Sequence, residues 1–176
     1  PLEHMQLTSD IISYAKESLN VQLNQSIYIT LTDHINFAIE RYTQGINLKN
    51  ALLWEIKKFY NQEYLLGQYA VNLLNQKLGT KFTEDEAGFI ALHFVNAEYN
   101  TSIHDTFAMT NMIQGIIDLV KREMQIEPDE DSLHYERFVT HLKFLAQRLY
   151  RHELLKDDEI EFARMMENKY PKEYEC

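Results

Sequence analysis

One cysteine, three prolines and five glycines in 176 residues remove several possibilities at once. A lone thiol, Cys176, forms no internal disulfide and no thiolate zinc cluster, so a reducing compartment is expected. Scarce Gly and Pro leave little turn material, and no stretch alternates with period 2 for long enough to argue a strand. Basic residues are also short: 17 Lys and Arg stand against 27 Asp and Glu, a formal net charge of −10. Such a chain repels a phosphate backbone, and no basic stripe interrupts the acidity, so these residues are not expected to grip nucleic acid themselves. No apolar run approaches the ~20 residues needed to span a bilayer, so no membrane insertion and a cytoplasmic address are expected. What is present is a composition 45% hydrophobic and 12% aromatic, ample for a packed, mostly helical core.

The chain also contains one helical unit written nearly twice. Asp10-Ile11-Ile12-Ser13-Tyr14-Ala15-Lys16 reads against Gly115-Ile116-Ile117-Asp118-Leu119-Val120-Lys121, and Asp33-His34-Ile35-Asn36-Phe37 against Thr140-His141-Leu142-Lys143-Phe144. Arg41 and Arg148 follow their histidines at the same distance, and Tyr60-Asn61-Gln62-Glu63-Tyr64 matches Tyr170-Pro171-Lys172-Glu173-Tyr174. Only short insertions are needed to keep register. The blocks predict one complete domain over 6–102 and a second, over 103–176, represented by its N-terminal part.

Helix signals are frequent. Thr8, Ser9 and Asp10 offer N-cap oxygens before Ile11, Ile12, Ala15 and Leu19, which predicts a helix over 8–20; residues 1–5 fit no period and read as linker. A second helix is expected over 27–43, then two over 51–78 broken near Asn61 and stopped at Gly79. Thr83 and Glu86 have capping-box spacing and open a helix to about Tyr99. The second unit predicts helices over 106–125, from Ser132 to about His152, and over 157–168.

Both His34 and His141 sit among apolar residues at helical spacing, Leu31 and Phe37 for one, Phe138 and Phe144 for the other. A single such histidine reads as a core residue bonded to a carbonyl; two at equivalent places, each with an Arg two turns later, point to function. His93, beside Phe89, Ile90 and Ala97, is an open case. Metal binding has little support, since no His-Glu-x-x-His pattern exists and no histidines cluster with carboxylates at ligand spacing; His104-Asp105 is a two-residue match to a hydrolase metal pair. No nucleophile turn or glycine-rich phosphate loop is present, so no catalytic residue and no cofactor are expected. Glu84, Asp85 and Glu86 read as helix-dipole and capping residues.

Three motifs, Asp33-His34-Ile35-Asn36-Phe37-Ala38, Ala91-Leu92-His93-Phe94-Val95-Asn96-Ala97 and Tyr135-Glu136-Arg137-Phe138-Val139-Thr140-His141-Leu142-Lys143-Phe144, resemble the bacterial transcriptional antiterminators of the BglG, SacY and LicT type, in the family's order and over essentially the whole chain. The resemblance implies two all-helical phosphotransferase-system regulation domains in tandem, each a five-helix bundle with two phosphorylatable histidines. On that basis His34 and His93 are the first domain's pair and His141 the first of the second pair; Asp33, Arg41 and Arg148 are expected as supporting residues from their charge and their place beside these histidines. It further implies a non-enzymatic homodimer, phosphorylated by the carrier HPr and by a sugar permease. RNA would be bound only through a separate N-terminal domain absent from this chain, at a hairpin in nascent messenger RNA. A DNA-binding activator carrying the same regulation domains is the alternative.

Overall fold

Capping and apolar spacing divide the chain into helices, and among the described residues there is no strand. The computed structural model describes residues 2–19, 21–153 and 159–171. The all-α expectation holds. Two compact units emerge, Pro1–Thr110 and Asn111–Cys176.

In the first unit, α1 (Leu2–Leu19), α2 (Ile27–Thr43), α3 (Leu53–Phe59), α4 (Asn61–Leu78) and α5 (Glu84–Tyr99) are followed by the opening turns of α6 (Ile103–Met124). The predicted bounds of α2, α4 and α5 agree closely with the structure. Helix α1 starts earlier than its cap signals indicated: residues 2–5 are helical, Thr8 is buried inside the helix with its hydroxyl donating to the His4 carbonyl at 2.8 Å, and His4 Nδ1 lies 2.6 Å from Asn36 Oδ1. A backbone-bonded Thr inside a helix leaves the same sequence trace as a capping Thr, which explains the misplaced start.

Helix α5 organises this unit. Ala87, Gly88, Ile90, Ala91, Leu92, Phe94, Val95 and Ala97 are all buried along it, so it is apolar on nearly every side, the signature of a central helix rather than a surface one. It packs against α2, α3 and α4, while α1 packs on α2 and α4 and the rings of Tyr14 and Tyr69 stack at 3.9 Å between α1 and α4. Burying each of Phe94, Ile90 and Leu92 contributes ~1.5–3 kcal/mol. The approach of α4 to α5 is close enough to require glycine: a Cβ on Gly67 would lie 2.1 Å from the Ala87 carbonyl oxygen.

Polar side chains hold the connections. Asn75 accepts from Thr80 Oγ1 and Phe82 N, both at 2.8 Å, and donates to the Phe82 carbonyl at 3.1 Å, shaping the turn that follows the left-handed Gly79. Asp85 Oδ1 accepts from Asn50 N at 3.0 Å, tying the α2–α3 loop to the start of α5. At the other end of α5, Asn100 adopts φ 52° as the C-cap, and Asn24 N donates to the Ala97 carbonyl at 2.9 Å.

The second unit takes the remainder of α6, then α7 (Leu133–Tyr150) and α8 (Glu159–Lys169). Ile113 and Ile117 are buried one turn apart on α6, and Tyr135, Val139, Leu142 and Ala146 form the buried stripe of α7. Ser132 caps α7, its hydroxyl accepting from Tyr135 N at 3.2 Å. The predicted start of the last helix at 157, and Lys172-Glu173-Tyr174 of the third repeat block, lie outside the described residues.

Two glycines make opposite predictions. Gly67→Ala is expected to lower stability by ~1–3 kcal/mol or more because the new methyl meets backbone, whereas Gly115→Ala on α6, with nothing within 4 Å of its added Cβ, is expected to raise it by ~0.5–1 kcal/mol. Thermal unfolding of both variants checks this; equal shifts in one direction would contradict the packing described for α4 and α5.

Candidate functional site

Helices α2 and α5 cross so that His34 meets Phe89 and His93, while Arg41, two turns further along α2, meets Glu86 near the start of α5. The imidazoles of His34 and His93 lie 4.7 Å apart between centroids at 49°, and the Phe89 ring stands 6.2 Å from that of His34. Glu86 Oε1 sits 2.6 Å from His34 Nε2, and Arg41 Nη2 reaches Glu86 Oε2 at 3.4 Å. The His34 contact lies off the ring N–H direction, so it is a close charge contact rather than an aligned hydrogen bond in this resting geometry.

Burial divides the two rings. His34 keeps 16% of its side-chain surface, and Nε2 is its buried nitrogen. His93 is 5% exposed and neither ring nitrogen has a hydrogen-bond partner in the protein. Burial, with the nearby His34 ring as a smaller cause, pulls the His93 imidazole down to about 3, so it is neutral throughout the physiological range and retains a nitrogen lone pair.

Two cavities border the pair. One of about 520 Å³ is lined by His34, His93 and Phe37 together with Asp33, Thr30, Asn96 and other polar groups. The second, about 240 Å³, is lined by His34, His93, Arg41 and Phe89 among others. Through the first, the buried ring of His93 shares a space with hydroxyl and amide side chains; the second places a guanidinium in the same wall as both imidazoles. The lone pair of a neutral imidazole can take a transferable anion, a guanidinium can pair with its charge, and a carboxylate can hold a ring N–H. Among the described residues no three His, Cys, Asp or Glu side chains converge as metal ligands.

The structure thus brings His34, His93 and Arg41 together and leaves Asp33 exposed on the rim of the larger cavity. The carboxylate on the His34 ring is Glu86, which sequence reasoning assigned to a capping box. That box does not form: Thr83 makes no side-chain cap bond, its hydroxyl instead donating to Asp85 Oδ2 at 3.2 Å. Asp85 is held well below the usual carboxylate range, first by the Asn50 N–H and further by Lys49 and Thr83. The available signal for Glu86 was its two-turn spacing from His93, the same spacing that separates His34 from Arg41. The apolar flanks of the histidines were also misread. Phe37 is 60% and Phe144 58% exposed, because the buried stripes of α2 and α7 run through Leu31, Ile35 and Ala38 and through Val139, Leu142 and Ala146. In the second unit His141 is exposed on α7 and Arg148 half-buried.

The depressed His93 value sets a pH dependence. An unfolded histidine titrates near 6.5, so between that value and about 3 the unfolded chain binds a proton that the folded one does not. The contribution is whole above pH 6.5 and falls as pH drops toward 3. From pH 6.5 to 5 His93 alone is expected to remove about 1.5 kcal/mol, and His93→Gln should flatten that part of the slope. Urea midpoints at the two pH values decide it; equal slopes in the two proteins would contradict the burial of a neutral ring.

Comparison with known proteins places the chain in a family. The PRD domain model matches residues 9–97 and 114–176. Transcription antiterminator LicT of Bacillus subtilis (strain 168) is 48% identical over 176 residues, 100% of this chain and 64% of that protein. The beta-glucoside operon antiterminator of Dickeya chrysanthemi is 40% identical over 100% of this chain and 62% of its own length. Protein GlcT of Staphylococcus aureus (strain bovine RF122 / ET3-1) is 33% identical over 95% of this chain and 59% of its own. The crystal structure of GlcT CAT-PRDI has a TM-score of 0.54 at 38% identity, covering 56% of this chain and 58% of that one. The chain spans a little under two thirds of the length of these curated relatives. Since the family model accounts for most of both repeat units, the chain belongs to the PRD domain family.

Proposed function

We propose that this chain is the phosphorylation-controlled segment of a transcriptional antiterminator, with one regulation domain over 6–102 and the first part of another over 103–176. The observation that carries the reading is the juxtaposition of His34 and His93 at 4.7 Å beside a 520 Å³ cavity. His34, His93 and His141 accept phosphoryl groups from HPr and from a sugar permease of the phosphotransferase system. The chain receives phosphate without turning over a substrate. Its named relatives are antiterminators, which supports a regulatory segment of such a protein.

A phosphoryl group adds roughly −1.5 to −2 charges and three strong acceptors. On a chain already at −10, its effect depends on which groups face it. Arg41 beside the pair offers a cation; Asp33 on the cavity rim offers repulsion, and Thr140 holds the corresponding place before His141. The differential energy needed to shift dimer packing is modest, ~1–3 kcal/mol for a typical allosteric coupling, so one modified ring suffices to bias a homodimer in the cytoplasm.

Incubation with phosphoenolpyruvate, the first phosphotransferase enzyme and HPr, or with the permease component in addition, is expected to give acid-labile, alkali-stable label. The label should decrease in His34→Ala, His93→Ala or His141→Ala according to the donor. A folded protein that takes no label from either donor would overturn the reading.

A further inference from the structure

This inference rests on the reading that His34 accepts a phosphoryl group. We propose that Glu86 is a positioning residue that distinguishes the two ring nitrogens of His34: it keeps the proton on Nε2, and Nδ1 takes the phosphoryl group.

A neutral imidazole carries one N–H, and a carboxylate only accepts, so the nitrogen beside Glu86 is the protonated one and the lone pair falls on the other. Oε1 stands 2.6 Å from Nε2. That gap excludes a phosphorus atom, and its three anionic oxygens would face a carboxylate. Nε2 is buried, while the ring keeps 16% of its surface and lines the larger cavity, so a phosphoryl group approaches the side of the ring away from Glu86, where the lone pair falls. The carboxylate is firmly mounted. Its second oxygen meets Arg41 at 3.4 Å. The preceding residue, Asp85, is bonded to the Asn50 backbone, and the following one, Ala87, is backed by Gly67. Alignment of Nε2–H with Oε1 needs only a ring rotation, which develops as charge appears on the ring.

The transfer balances without a proton changing hands. The Nδ1 lone pair attacks phosphorus of a ring-protonated phosphohistidine donor; the Nδ1–P bond forms as the donor's N–P bond breaks, and the donor departs as neutral imidazole with its own ring proton. His34 is left as a phosphoimidazolium whose Nε2–H faces Glu86, the role a carboxylate plays toward histidine in a catalytic triad. His93, neutral at 4.7 Å, opposes this with no charge of its own.

The test uses the whole chain with ¹⁵N-labelled histidine. Long-range ¹H–¹⁵N spectra of the unphosphorylated protein should show His34 protonated at Nε2, and after transfer the phosphoryl group should reside on Nδ1. In Glu86→Gln the tautomers should mix and labelling of His34 should slow roughly 10- to 100-fold, the range for losing one charge-assisted hydrogen bond, with partial recovery in Glu86→Asp. A proton on Nδ1, a phosphoryl group on Nε2, or an unchanged tautomer and rate in Glu86→Gln would overturn the proposal. The resting tautomer is read in the unmodified protein and needs no variant to fold. Absence of label on every histidine would sink the acceptor reading alone, while that spectrum still decides the part played by Glu86.

Discussion

A helix buried on nearly all sides has no solvent to satisfy its polar groups, and that constraint on α5 generates the site. Asp85, Glu86 and His93 are all carried into the interior by it, and each needs a partner or must shed its charge. Asp85 takes the Asn50 amide and Lys49. Glu86 takes Arg41 and approaches His34. His93 finds no partner within the protein and is held neutral. The site is therefore a consequence of how the central helix is accommodated rather than an addition to a finished core.

Equal spacing on two crossing helices makes the accommodation work. His34 and Arg41 occupy one face of α2, Glu86 and His93 one face of α5, and the helices run in opposite senses where they meet. The cation thus reaches the carboxylate while the two rings come together. Salt links buried to this degree contribute little net stability, because desolvation offsets attraction. Their value here is directional, in setting which nitrogen of the His34 ring faces the carboxylate and which faces away.

Much of the architecture was legible because helical period, glycine stops and Ser caps are local signals. Gly79 and Ser132 behaved as their sequence contexts indicated. The start of α1 was misplaced because a threonine bonded to the preceding turn is indistinguishable in sequence from one that caps. The repeat identified His34 and Arg41, and resemblance identified His93, but neither could reveal that the rings touch. Glu86 was hidden by a plausible local alternative: Thr83 and Glu86 have ideal capping spacing, and only the position of α2 shows that the carboxylate has been drawn away. The exposed Phe37 and Phe144 record a similar limit, for apolar neighbours at helical spacing do not reveal which side of a helix faces inward.

The contact between Gly67 and the Ala87 carbonyl has a mechanical implication. Clamped there by backbone and hitched through Asp85 to the loop before α3, the first turn of α5 behaves as an anvil. Close backbone contact and the Asp85 bond both resist sliding of that turn along its axis. A change at the imidazoles is then taken up by side-chain rotation or by α2 rather than by α5.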